Sequence, residues 1–409
     1  MKRPQLAAIV TEYRRYSHAQ HIIDRFLWGY GWGGRHHHPP MDVVALYTDQ
    51  LPQGDLSRER AKRFPSMKIY PTIAEALTRG GPRLAVDGVL LIGEHGSYPR
   101  NDKGQRLYPR YEFFQQIVDV FRDSGRAVPV FNDKHLSWNW SWAQEMVQTA
   151  RAMGFGLMAG SSLPVARRLP AIDMPWGAPV GEAMCVAVGG PDGYDIHALE
   201  AIQSMVERRR DGETGVDWLQ ALRGDSVWKA MTAGSWDAGG WNPGLFQACI
   251  CRSHQLQGGR PGFQHSLPAV EQLQQILARR EQLKPGQQFP DPVAYRYQHS
   301  DGLKITMLLL EGIVEDFTFA AQLADRSDLL SLQMHLAPRE VCNFFSPLVN
   351  HIETLFLTGR APYPIQRTLL TTGLTAAGIE SLWRRQQRIP TPHLDIAYQA
   401  TRHSTFWNN

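Results

Sequence analysis

The first third of the chain alternates short apolar runs with amphipathic stretches, and no other feature limits the fold as tightly. Leu6–Val10 is one apolar run; Ser17–Tyr30 ("SHAQHIIDRFLWGY") then places apolar residues at helical spacing behind Ser17, a suitable N-cap. "DVVALYTDQ" (42–50) reads as a second strand and "LSRERAKRF" (56–64) as a short helix, and "MKIYPTIAEAL" (67–77) supplies a third strand and a third helix. "VDGVLLIGEH" (86–95), "YEFFQQIVDVFRDSG" (111–125) and "AVPVFNDKH" (127–135) add a fourth strand, a helix closed by Gly125 and a fifth strand. Strands that alternate with helices imply right-handed crossovers and a parallel sheet.

Ligands of such sheets bind beyond the carboxyl ends of the strands. Those ends are Thr11–His18, Asp49–Gln50, Glu94–Tyr98 and Asn132–His135. After Gly154 the pattern changes: "GFGLMAGSSLPVARRLP" reads as a strand leaving the sheet, and "YDIHALEAIQSMVERR" as a strong helix. A Gly-, Trp- and Gln-rich region follows, with one clear helix, "AVEQLQQILARREQL" (269–283), and "VAYRYQHSDGLKITMLLL" reads as a hairpin about Ser300-Asp301-Gly302. "PLVNHIETLFLTG" and "LLTTGLTAAGIESLWRRQ" look helical. The expected class is α/β: a Rossmann-like, doubly wound parallel sheet over 1–155, then an α+β domain over 156–409 with a mostly antiparallel sheet, whose C-terminal helices can pack back on the first domain. A chain of 409 residues is long enough for two such cores.

Composition excludes several classes. Basic residues number 43 against 39 acidic ones, with no basic tract longer than Arg208-Arg209-Arg210, so nucleic acid is not an expected partner. No apolar run approaches the ~20 residues that span a bilayer, so no membrane partner is expected. Four cysteines form no disulfide framework, and together with the absence of a signal-peptide core they point to a cytoplasmic protein. The three histidines of "GGRHHHPP" (33–40) lie in a Pro-ended loop and read as surface, lid-like residues.

The order of elements, with "TIAEAL", "VDGVLLIGEH", a fifth strand ending in "NDKH", and "YDIHALEAI" in the second part, resembles the glucose-fructose oxidoreductase and inositol dehydrogenase (Gfo/Idh/MocA) family. The resemblance implies that Lys134 touches substrate, that His197 is the catalytic histidine with Glu200 three positions on, and that the chain forms a homo-oligomer through the sheet of its second domain. An Asp four residues before that histidine is Gly193 here, with Asp192 and Asp195 nearby. The family's glycine fingerprint is also missing, because its three glycines fall on Val10, Glu12 and Arg15. Glu12 would set a carboxylate against diphosphate, a repulsion of about 4 kcal/mol at ~4 Å and an effective dielectric of ~20. Arg14 and Arg15 can offset charge but not bulk. Asp49 reads two ways, as the carboxylate that holds an NAD ribose or as a loop cap.

With ordinary NAD(P) binding disfavoured, the residues gathered at the strand ends point to a divalent metal. Glu94, His95, His135 and His197 are the carboxylate and imidazole ligands that zinc, manganese or iron accept. Lys134 and Tyr98 are candidate proton-transfer groups, and Glu12, His18, Asp133, Trp138 and Glu200 candidate contacts for a small hydroxylated substrate. Each histidine can equally be a hydrogen-bonded structural residue, Tyr98 part of a rigid loop, and Trp138 a packing residue. The leading expectation is metal-assisted acid-base chemistry of lyase or hydrolase type on a sugar- or polyol-like small molecule. The alternatives are an NAD(P)-dependent sugar or polyol oxidoreductase with an altered phosphate loop, and a non-catalytic ligand-binding protein.

Overall fold

The computed structural model describes residues 3–254, 290–336 and 342–408. The helix expected at 269–283 lies outside them. The chain divides into two compact units; the first holds described residues 3–165 and 342–372, the second 166–254, 290–336 and 373–408.

The first unit is built on β1 (Gln5–Val10), β2 (Asp42–Thr48), β3 (Lys68–Ile69), β4 (Gly88–Ile92), β5 (Val130–Asp133) and β6 (Leu157–Gly160). They pair in parallel in the order β3-β2-β1-β4-β5-β6. The chain therefore reverses its direction of travel between β1 and β4, the switch point at which such sheets open for ligands. Leu157–Gly160 is the sixth strand of this sheet, not a strand that departs from it.

Alternate residues of each strand point to opposite faces. Ala7, Ile9, Val89, Leu91 and Val130 face α3 (Ile73–Thr78), α4 (Arg110–Ser124) and α5 (Trp140–Met153). Leu6, Ala8, Val10, Leu90, Ile92 and Phe131 face α1 (His18–Trp28) and α9 (Ser346–Thr358). Ser17 caps α1, its hydroxyl accepting from the Gln20 amide, and "LSRERAKRF" forms α2 (Ser57–Arg63). The triple histidine forms no loop lid: Arg35–His37 pairs with Tyr30–Trp32, and His37 Nε2 lies 2.8 Å from buried Glu353 on α9.

In the second unit β7 (Arg167–Leu169), β8 (Val180–Ala187), β9 (Val216–Arg223), β10 (Val293–His299), β11 (Lys304–Leu309), β12 (Phe317–Leu323), β13 (Leu329–His335) and β14 (Ile389–Pro390) form one sheet. Its order is β14-β9-β10-β11-β8-β12-β13-β7, and every pair except β8/β11 is antiparallel. α6 (Asp195–Val206) is buried along its whole length, and the Tyr295 hydroxyl on β10 bonds Asp195. The opposite face, lined by Met184, Val186, Ala294, Leu308 and Ala320, is covered by α7 (Asp225–Ala233) and α8 (Pro243–Arg252). α10 (Ile365–Trp383) is divided between the units. Among the described residues no helix is long and apolar enough to cross a membrane.

Candidate functional site

The ends of β1, β4 and β5 meet at the switch point of the first unit. The Thr11 hydroxyl donates to the Glu94 carbonyl at 2.7 Å, tying the end of β1 to the end of β4. Two residues there stand in the left-handed region, His95 at φ 72° and Lys134 at φ 60°. A side chain at positive φ costs of order 1–3 kcal/mol, and such strain collects at functional sites. Both lie just past the point where their strand turns out of the sheet.

Glu94 is the hub. One carboxylate oxygen accepts from Lys134 Nζ at 3.0 Å, and the other from the Arg110 guanidinium at the start of α4. Arg110 is wholly enclosed, its guanidinium resting 5.0 Å from the Tyr108 ring centre and 3.4 Å from His135 Nε2. Gly93 makes room for it: a Cβ there would lie 2.6 Å from Arg110 Cγ. Burial alone would push the Glu94 carboxyl up, but Lys134 and then Arg110 outweigh it and hold it well below the ordinary range. Burial followed by Arg110 drives His135 well below the usual imidazole value, and burial followed by His18 takes His95 to about 3, so both rings are neutral. His18 Nδ1 lies 2.7 Å from buried Asp133, and its ring meets His95 and Phe345 edge-on.

A second group forms on the β2 side. Asp49 accepts from the Tyr47 hydroxyl at 2.9 Å and the Tyr98 hydroxyl at 2.6 Å, and Gln50 and Ser97 exchange hydrogen bonds at 2.8 and 3.2 Å. Gly96, at φ 102°, packs where a Cβ would come within 2.7 Å of the Tyr98 ring. Burial, then Asp49, raises the Tyr98 phenol far above its ordinary value, which makes it a poor proton donor. At the β1–α1 corner Glu12 is buried and ion-paired with Arg14, while Tyr13 turns inward to hydrogen-bond Asp24 of α1.

The structure thus brings together Glu94 with Lys134, His18 with Asp133 and His95, and Tyr98 with Asp49. Trp138 stands edge-on to Trp142 at 5.0 Å, and its carbonyl accepts from Gln105. His197 and Glu200 are buried on α6 of the second unit, where the His197 ring meets Tyr194 and Phe317. Arg110 is the residue the sequence reading does not single out; its only local signal is Gly93, opposite its stem.

The expected metal centre at Glu94, His95, His135 and His197 does not form. Both Glu94 oxygens are engaged by cations, and His135 faces a guanidinium, so a metal ion would enter a cluster that already holds two positive charges. Among the described residues no group of three or more His, Cys, Asp or Glu is disposed to hold a metal ion.

No family model and no curated protein matches the chain. Solved structures do. The myo-inositol dehydrogenase of Lactobacillus casei in complex with NAD(H) and myo-inositol superposes with a TM-score of 0.57 at 12% identity, covering 95% of this chain and 97% of that one. GenD2 from gentamicin A biosynthesis in complex with NAD gives 0.55 at 12% over 96% and 97%. The super-repressor mutant of Gal80p from Saccharomyces cerevisiae gives 0.52 at 9% over 96% and 100%. The fold is that of the Gfo/Idh/MocA-type proteins, a Rossmann-like unit followed by an α+β unit. The reading of a metal-dependent lyase or hydrolase is thereby corrected twice: Glu94 and His135 of its ligand set face Arg110 and Lys134, and two of the fold neighbours, a myo-inositol dehydrogenase and GenD2, are seen with NAD.

Proposed function

We propose that this chain is an NAD(P)-dependent oxidoreductase acting on a sugar- or polyol-like small molecule, with a phosphate corner of altered chemistry. The observation that carries the reading is the likeness, over nearly the whole chain, to two proteins whose structures hold NAD, one of them a myo-inositol dehydrogenase. The residues present suit such a cofactor. Asp49 ends the second strand, where a carboxylate holds a ribose; its two tyrosine bonds use two of about four acceptor positions, leaving room for a sugar hydroxyl. The charge introduced by the missing glycines is offset at the corner itself. Tyr13 is turned into the core, Glu12 is neutralised by Arg14, and Arg15 leaves the three charged side chains with a net positive charge toward diphosphate.

When bound, the nicotinamide supplies the hydride acceptor or donor. Lys134 then binds the substrate hydroxyl and exchanges its proton, while Asp133 and His18 orient neighbouring hydroxyls. Tyr98 is assigned to holding Asp49 rather than to proton transfer. Association into a homo-oligomer, which the resemblance implies, would use a surface other than the sheet face covered by α7 and α8.

Titration with NADH and NADPH, followed by nicotinamide fluorescence, tests the reading together with turnover assays over a panel of inositols, sugars and polyols. Saturable binding with turnover supports it, and no binding at millimolar dinucleotide rejects it. The likeness to Gal80p, named as a super-repressor mutant, favours one second reading, a ligand-binding protein without turnover. Saturable dinucleotide binding with no turnover across the panel would select that one.

A further inference from the structure

We propose that Arg110 and Glu94 are positioning residues for Lys134: the enclosed guanidinium fixes one carboxylate oxygen of Glu94, and the other oxygen fixes the Lys134 ammonium at the sheet's switch point. The inference rests on the reading of Lys134 as the group that meets substrate, and it adds two residues that do not touch substrate themselves.

Three observations support it. Glu94 and Lys134 sit at the ends of adjacent strands β4 and β5, and Lys134 itself and His95, the neighbour of Glu94, adopt positive φ. Without that backbone departure, successive side chains would continue to alternate across the sheet. Next, Arg110 has no exposed surface, so its charge serves the interior; Glu94 and Tyr108 take its guanidinium, and Gly93 clears its stem. Lastly, the trio carries one net positive charge when Lys134 is protonated and none when it is not. The Arg110–Glu94 pair remains balanced in both states, so one proton can leave and return without stranding a buried anion. Arg110 thus holds the carboxylate in place while Lys134 changes charge.

The test uses the full-length chain and needs no dinucleotide. Reductive methylation of Lys134, quantified by peptide mass spectrometry, is compared with that of exposed Lys68 in the wild type, Glu94→Gln and Arg110→Met. Glu94 holds Lys134 Nζ in a charge-assisted hydrogen bond at 3.0 Å, so Glu94→Gln should release the amine and accelerate Lys134 modification by about tenfold relative to Lys68. Arg110→Met should leave Glu94 to Lys134 alone and slow it. A Lys134 rate unchanged in both variants overturns the proposal. Should Arg110→Met fail to fold, Glu94→Gln, which keeps shape and one hydrogen-bonding oxygen, decides alone. In turnover assays a positioning role predicts that Glu94→Gln lowers kcat with KM within about twofold and shifts the pH profile, whereas a merely structural role leaves the profile in place. The two readings fail separately. A chain that binds no dinucleotide can still show the altered methylation, and an active dehydrogenase whose Glu94→Gln variant methylates as the wild type does retains its function while losing this inference.

Discussion

Replacing Glu94 with leucine should be among the most destabilising single changes in the first unit, and the loss should be recoverable by a second change. Arg110 is fully buried and Lys134 nearly so, and Glu94 is the carboxylate that meets both. Removing it leaves two enclosed cations about one side chain apart, and breaking a buried pair in this way costs about 3–5 kcal/mol. Glu94→Leu combined with Arg110→Met removes the worse of the two stranded charges and fills the space with apolar atoms, so most of the cost should vanish. Because two compact units can unfold separately, the readout is amide hydrogen exchange of Gly88–Ile92, the strand that carries Glu94. Glu94→Leu should speed exchange there by about a hundredfold or more, and the double variant should return to within about tenfold of the wild type. Acid should mimic the single change. The folded carboxyl lies well below its ordinary value of 4.5, so the unfolded chain takes up the proton first. The stabilisation is therefore complete above about pH 4.5 and falls as the pH drops toward the folded value. A double variant that loses as much protection as Glu94→Leu or more, or wild-type protection that is flat on acidification, would refute the ion-pair argument.

Three further outcomes are expected. Asp49→Ser removes the ribose acceptor and should raise the NADH dissociation constant by about tenfold in a fluorescence titration; an unchanged value would make Asp49 only a partner for its two tyrosines. Asp195, raised to about 7 by burial and then by Asp192, binds a proton in the folded state that the unfolded chain, with an ordinary value of 3.8, has lost; its contribution is full in acid and declines as the pH rises to about 7. Asp195→Asn should consequently raise the melting temperature at pH 8 and change it little at pH 4, while keeping an oxygen for the Tyr295 hydroxyl. Gly93→Ala places a methyl 2.6 Å from Arg110 Cγ, and should cost about 1–3 kcal/mol and slow Lys134 methylation in the direction of Arg110→Met.

The parallel sheet was readable because its central strands β1, β2 and β4 carry continuous apolar runs and the helices between strands show amphipathic patterns, with Ser17 and Gly125 marking helix ends. Where those signals fade, the reading stops: Leu157–Gly160 is only four residues ending in glycine, and β9, α7 and α8 lie in a stretch dominated by Gly and Trp. The site was legible as a set of residue types at strand ends, but its charge was not. Imidazoles and carboxylates in sequence look alike whether they surround a metal or a guanidinium. What separates the two cases is Arg110, which enters from the first residue of α4 and is enclosed only because Gly93 lacks a side chain. The same holds at the β1–α1 corner. Glu12 at the place of the middle glycine predicts a bulky, negative corner whose charge Arg14 and Arg15 can offset, and folding pairs Glu12 with Arg14 and sends Tyr13 inward to Asp24. In both places the packed fold decides the charge that the residue types alone leave open, through Arg110 beside Glu94 and Arg14 beside Glu12.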